Sequence, residues 1–137
     1  MNPIQYQETN SQSSNGNSIR LVYDQETDIL EIFFGNNEPA TGIELTDHIL
    51  LRINQKTKRA ISLTLLDFSI LTEQTEYGPR SFPIDRLDEL PPDLQELMLQ
   101  LLTSTPVNQF LKISHIQTSP TERMLFTWLE PQPLLAA

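Results

Sequence analysis

The chain has 137 residues, 38% of them hydrophobic and 20% charged, with 18 Asp and Glu against 9 Lys and Arg for a formal net charge of −9. That length fits one domain, able to bury roughly two-thirds of its unfolded surface and so to fold without staples. There is no cysteine, which excludes disulfides, thiol catalysis, thiolate zinc sites and iron–sulfur clusters, and fits a reducing compartment.

The charge balance argues against a nucleic-acid reader, because phosphates repel an acidic chain. No apolar run approaches the ~20 residues of a membrane helix. The first residues have neither a basic start nor an apolar stretch, so no signal peptide is expected. These features predict a cytoplasmic protein with neither a membrane nor a nucleic-acid partner.

Residues 1–18 are rich in Asn, Gln and Ser, with Ile4 and Tyr6 as isolated apolar side chains. Such a segment buries too little surface to offset its ordering entropy, so a disordered tail is expected. The alternative is a tail whose Ile4 and Tyr6 dock. From residue 19 the pattern becomes short apolar runs between turns. Residues 19–23 place Ile19, Leu21 and Tyr23 on one face; residues 29–34 place Leu30, Ile32 and Phe34 on one face. The polar stretch between them reads as a hairpin loop. A weaker strand at 41–45 follows the break at 35–39. Strands at 49–54 and 60–66 follow, carrying Ile49, Leu51 and Ile53, then Ile61, Leu63 and Leu65. Short turns between consecutive strands predict an antiparallel meander, since parallel crossovers need a dozen or more residues.

Residues 67–72 read as one helical turn, 73–80 as a loop around Gly78 and Pro79, and 84–90 as a short helix. A helix is predicted from Pro92 to Thr103, with proline suited to the first turn. Its stripe is Leu94, Leu97, Met98, Leu101 and Leu102. Two last strands, 110–116 and 123–129, make a C-terminal hairpin turning at Pro120. Residues 131–137 read as a loose tail. The fold class is therefore α+β: an antiparallel sheet, a capping helix and a C-terminal hairpin in one domain spanning 19–130.

Val22, Ile29 and Phe33 fall on the face opposite the main apolar row of the first two strands. A sheet apolar on both faces needs cover on both. One helix covers one face, which leads to the expectation of a homodimer. The competing arrangement folds the C-terminal hairpin over the open face. Met124, Phe126 and Trp128 share one face of the last strand; a core position is favoured, with an interface as the alternative. The candidate interface is thus Val22, Ile29, Phe33, Phe126 and Trp128.

No residue presents itself as catalytic, metal-ligating or cofactor-binding. Asp24, Glu26 and Asp28 lie within five residues, yet they lack the glycine and distal glutamate of a calcium loop and read as turn acceptors. His48 and His115 stand alone in sequence. Lys56, Lys58 and Arg59 read as a solvated hairpin tip. No nucleophile elbow, zinc-protease helix, phosphate loop or dinucleotide fingerprint occurs.

The run Tyr23-Asp24-Gln25-Glu26-Thr27-Asp28-Ile29-Leu30-Glu31-Ile32-Phe33 has the form Y-D-x-x-x-D-x-L-x-I-x-F. It resembles the opening of the small bacterial domain catalogued as domain of unknown function 2283. The likeness continues to the closing Leu66-Asp67-Phe68-Ser69 and spans about residues 19–70. Ser62, Thr64 and Phe68 stand where that family more often has glycine, glutamate and alanine, and everything after Ile70 is additional. The resemblance implies a small antiparallel sheet domain with no established catalysis. Some members are encoded beside small toxin-like proteins, which implies a partner-binding or antitoxin-like role. Tyr23, Asp24 and Asp28 are then the family's hairpin device.

The expected function is a non-enzymatic, self-associating protein-interaction module without cofactors. The alternative is an antitoxin-like protein whose acidity suits a basic nuclease partner. A small hydrolase or metal-dependent enzyme is the remaining class.

Overall fold

A row of β-branched and leucine side chains at every second position favours extended chain, because a period of two puts that row on one face. A computed structural model describes residues 6–12, 18–76 and 78–129. Its strands are β1 (Tyr6–Gln12), β2 (Ser18–Asp24), β3 (Ile29–Phe34), β4 (Thr41–Thr46), β5 (Ile49–Asn54) and β6 (Arg59–Leu66). The short helix α1 (Phe68–Leu71), a minimal ladder of β7 (Gln74–Thr75) and β8 (Gly78–Pro79), and β9 (Phe82–Ile84) follow. Helix α2 (Pro92–Leu102) and the hairpin of β10 (Leu111–Ser119) and β11 (Glu122–Leu129) complete the fold. Single 3₁₀ turns at Leu87–Glu89 and Val107–Gln109 flank α2.

The α+β class, the antiparallel sheet, the helix and the C-terminal hairpin are all present. The strand order, however, is β1-β2-β3-β6-β5-β4, so the meander is interrupted. Two three-stranded meanders, β1-β2-β3 and β4-β5-β6, join where β3 pairs antiparallel with β6, Ile29 opposite Leu66 and Phe33 opposite Ser62. The link at 35–40 carries the chain across β6 and β5 to the far edge, a Greek-key return. Turn chemistry shows where hairpins occur; it does not show which neighbour a strand takes after a longer link.

A second difference lies at the N-terminus. Residues 6–12, within the expected disordered tail, form β1 and pair along all of β2, Tyr6 opposite Asp24 and Gln12 opposite Ser18. Backbone hydrogen bonds to an open sheet edge order a polar segment without any apolar period. Ile4 and residues 131–137 lie outside the described residues.

One face of the large sheet is the core. Ile19 and Leu21, Leu30, Ile32 and Phe34, Ile43 and Leu45, Ile49, Leu51 and Ile53, Ala60, Leu63 and Leu65 are buried in a single cluster. The C-terminal half adds Ile84, Leu87, Met98, Leu102, Val107, Phe110, Leu111 and Leu129 to that cluster; Phe34 and Phe110 meet with ring centroids 6.1 Å apart. A bulge between Arg52 and Ile53 opposite β6 shifts the alternation, so that Ala60 joins the cluster while Ile61 is buried as well.

The C-terminal strands form their own sheet, β10-β11-β9. Residues 82–84, read partly as helix, are a strand that pairs with β11, Leu125 opposite Ile84. Leu111, Leu125, Thr127 and Leu129 face the core, and the buried Thr127 hydroxyl donates to the Lys112 carbonyl at 2.9 Å. The alternate row, Met124, Phe126 and Trp128, therefore points away from it. This reverses the favoured core position. It also excludes the hairpin as cover for the open sheet face, because the hairpin packs on the inner side with its other row.

Helix α2 has Pro92 in its first turn and Asp93 at the positive end of its dipole. Its buried residues are Met98 and Leu102; Leu94, Leu97 and Leu101 are only partly covered. Of the expected stripe, Met98 and Leu102 carry the burial. Met98→Ala and Leu102→Ala should each destabilise the protein by about 2–5 kcal/mol, the range for buried leucine and methionine, and Leu97→Ala by clearly less. Urea titrations check this; equal effects for Leu97 and Met98 would place the helix in a different rotation.

Candidate functional site

The turn residues of the resemblance motif converge at one end of the large sheet. Asp28 closes the β2–β3 loop in the left-handed region at φ 58°, a conformation aspartate tolerates better than most residues. There its carboxylate becomes the acceptor of a network. The Tyr23 hydroxyl donates to Oδ1 at 2.7 Å. The Ser69 hydroxyl donates to Oδ2 at 2.6 Å, and the Ser69 N–H reaches both oxygens at 3.1 and 3.2 Å. The Phe68 N–H donates to the Asp28 carbonyl at 3.0 Å, and the Phe68 ring lies 5.4 Å from that of Tyr23. Asp24 accepts the Glu26 N–H at 3.0 Å inside the loop. The expected hairpin device is thus also a long-range latch onto the chain after β6. Ser69 was absent from the candidates, although the closing Leu-Asp-x-Ser was its signal.

Beside the latch, Asp67, also left-handed at φ 54°, lies 3.0 Å from His48 Nδ1 through Oδ2. The His48 carbonyl accepts the Leu66 N–H at 2.8 Å. Ser, His and Asp therefore gather here, but in a pairing unlike a serine hydrolase's, where the hydroxyl is bonded to the imidazole. Here the Ser69 hydroxyl is bonded to Asp28, and the imidazole to Asp67. Among the described residues, no three of His, Cys, Asp and Glu are placed to hold a metal ion.

Desolvation works against the charged Asp28 carboxylate. The hydrogen bonds from the Ser69 hydroxyl, the Tyr23 hydroxyl and the Ser69 N–H outweigh it and hold the pKa below the ordinary value. Tyr23 moves the other way. Its hydrogen bond to Asp28, then burial, then the charges of Asp28 and Asp24 push it up to about 12.

The opposite end of the β3–β6 seam has its own clamp. Arg59, expected at a solvated tip with Lys56 and Lys58, turns inward to Glu38 at 2.5 Å and to the Phe34 carbonyl. Asn54 donates to the same Glu38 at 2.8 Å. Gly35 sits at φ 78° against this guanidinium, and a Cβ there would lie 2.6 Å from Arg59 Nη2. Lys56 and Lys58 remain exposed.

The candidate interface residues separate into two surfaces. Val22, Ile29 and Phe33 lie on the outer face of the large sheet, outside the core cluster and half-buried. By register they are joined there by Leu66, opposite Ile29, and by Leu50, opposite Thr64; neither was among the candidates. Leu66 is 37% exposed. The Arg20 guanidinium stacks 4.6 Å above the Phe33 ring, and Arg52 donates to the buried Ser62 hydroxyl at 3.2 Å. Phe126 and Trp128 belong instead to the outer face of the C-terminal sheet with Met124, which is 43% exposed.

The latch has a measurable pH signature. Because the folded pKa of Asp28 is depressed, its contribution is present above the ordinary aspartate value of ~3.9 and is lost as pH falls through the lower folded value. The Tyr23 contribution is intact below ~10 and is lost as pH rises through about 12. Ultraviolet titration should therefore show one of the three tyrosines ionising last, and Tyr23→Phe should remove that step. Asp28→Asn should destabilise by about 1–2 kcal/mol at neutral pH. A Tyr23→Phe titration identical to that of the wild type would rule out the hydrogen bond.

No curated protein and no solved structure matches this chain. No helix among the described residues is long and apolar enough to cross a membrane. One family model does match, over residues 20–69, the segment that runs from within β2 through β6 and contains both halves of the latch. In that segment the chain resembles the family described as protein of unknown function (DUF2283).

Proposed function

We propose that this protein is a non-enzymatic interaction module that works through the outer face of its six-stranded sheet and associates with itself there. The supporting observation is the distribution of apolar side chains. The helix and C-terminal strands pack on the inner face, as their membership of one cluster with its inner row requires. Val22, Ile29, Phe33, Leu50 and Leu66 stay outside that cluster on the other face. An apolar patch of this breadth is characteristic of surfaces that meet a partner, and a two-fold homodimer is the commonest such assembly. What supports the non-enzymatic part is the engagement of the reactive groups: Ser69 and Tyr23 serve Asp28, and His48 serves Asp67.

Light scattering at micromolar concentration should give twice the chain mass of 15.7 kDa. Phe33→Glu should give a monomer or an aggregate. A wild-type monomer throughout the micromolar range would refute self-association. The net charge of −9 favours a second reading, an antitoxin-like role in which a basic nuclease docks on the acidic surface. Co-purification of one basic protein from the native host, lost at high salt, is its expected signature; an equimolar complex indifferent to salt would oppose it.

A further inference from the structure

The outer face carries charge in rows. Strand register places Val22, Glu31, Thr64, Leu50 and Glu44 in one line across β2, β3, β6, β5 and β4. The next line, two residues along each strand and about 6.7 Å away, is Arg20, Phe33, Ser62, Arg52 and Gly42. The first line is acidic and the second basic. Both guanidiniums lean towards the middle of their line, Arg20 over Phe33 and Arg52 onto Ser62. Glu44 is engaged at the sheet edge by Arg86, which also pairs with Asp47. Glu31 is different. It is half-buried on β3, its paired neighbours are Val22 and Thr64, and it makes no hydrogen bond or ion pair with any described residue. A carboxylate so placed can take a cation from a partner.

We infer that the occupant of this face is a second copy of the chain, packed about a two-fold axis that runs across the strands between the acidic and basic lines. This rests on the self-association proposed above and assigns its geometry. Such an axis keeps each strand position and exchanges the two lines. Glu31 of each copy then lies opposite the partner's Arg20–Phe33 pair, because the Arg20 guanidinium already sits at the β3 position. Val22 and Leu50 fill the space beside these pairs. An axis parallel to the strands would instead lay basic line on basic line, bringing Arg20 and Arg52 of the two copies together as the water leaves. Like charges so placed oppose docking by several kcal/mol. The area suffices: a six-stranded face with strands about 4.8 Å apart and about 20 Å long offers roughly 550 Å² per copy, just above the ~1,000 Å² total that specific interfaces reach. Two sheets aligned within about 30° pack in this way in β-sandwiches.

Charge reversal separates this geometry from self-association in general. Glu31→Arg reverses the central charge of the acidic line, and the double change Arg20→Glu with Arg52→Glu makes both lines acidic. By light scattering each variant alone should be monomeric where the wild type is dimeric, and an equimolar mixture should recover the dimer mass. Circular dichroism checks that each variant is folded. If one is not, Glu31→Gln is read instead, and should weaken the wild-type dimer about tenfold and flatten its salt dependence. A dimeric wild type with Glu31→Arg still dimeric, or a mixture of folded variants that stays monomeric, overturns the assigned axis and leaves self-association standing. A monomeric wild type overturns both.

Discussion

The β3–β6 seam is the constraint on which the rest of the structure depends. Each three-stranded meander is local, built from hairpins whose loops close over a few residues. Their union is not local: Ile29 must meet Leu66, and Phe33 must meet Ser62. Loop-closure entropy opposes such a pairing until contacts formed after closure offset it. The chain secures the seam at both ends. At one, the Asp28 carboxylate takes the Ser69 hydroxyl and N–H while Tyr23 holds its other oxygen. At the other, Arg59 bonds the Phe34 carbonyl and Glu38. A carboxylate with charge-assisted donors and an arginine serving two acceptors are the stronger members of the hydrogen-bond repertoire.

Joining the meanders there has consequences for both faces. It gathers the inner rows into one continuous apolar surface wide enough for α2 and the C-terminal sheet, so the whole chain shares one core. It also brings Val22 and Phe33 from one meander alongside Leu50 and Arg52 from the other. The outer patch, with its adjacent acidic and basic lines, exists only because of this union. The latch and the outer patch are therefore related as scaffold and product: the groups that look most chemical hold the sheet together, and the outer patch is a surface they create.

The C-terminal sheet shows how a single step in register decides exposure. In β11 the buried row is Leu125, Thr127 and Leu129, and the outward row is Met124, Phe126 and Trp128. By hydrophobicity alone the second row is the better core. The first wins because Leu111 and Ile84, its neighbours on β10 and β9, point inward, and one strand cannot oppose the face chosen by its ladder. The buried Thr127 is accommodated through its hydrogen bond to the Lys112 carbonyl.

The sequence by itself determined the secondary structure between residues 19 and 66, the helix at 92–102 and the hairpin at the end of the chain, because these follow from periods of two and 3.6 and from turn residues at short spacing. It also marked Tyr23, Asp24 and Asp28 as a unit. Tertiary structure alone decided the pairing of β3 with β6, the ordering of 6–12 on the edge of β2, the burial of Met98 over Leu97, and the meeting of Asp28 with Ser69 across forty-one residues. Each of these is a choice between surfaces of similar local composition. A periodic pattern says that a face must be buried; which other face covers it depends on what the remaining chain brings into contact, and that information is shared among residues far apart in sequence.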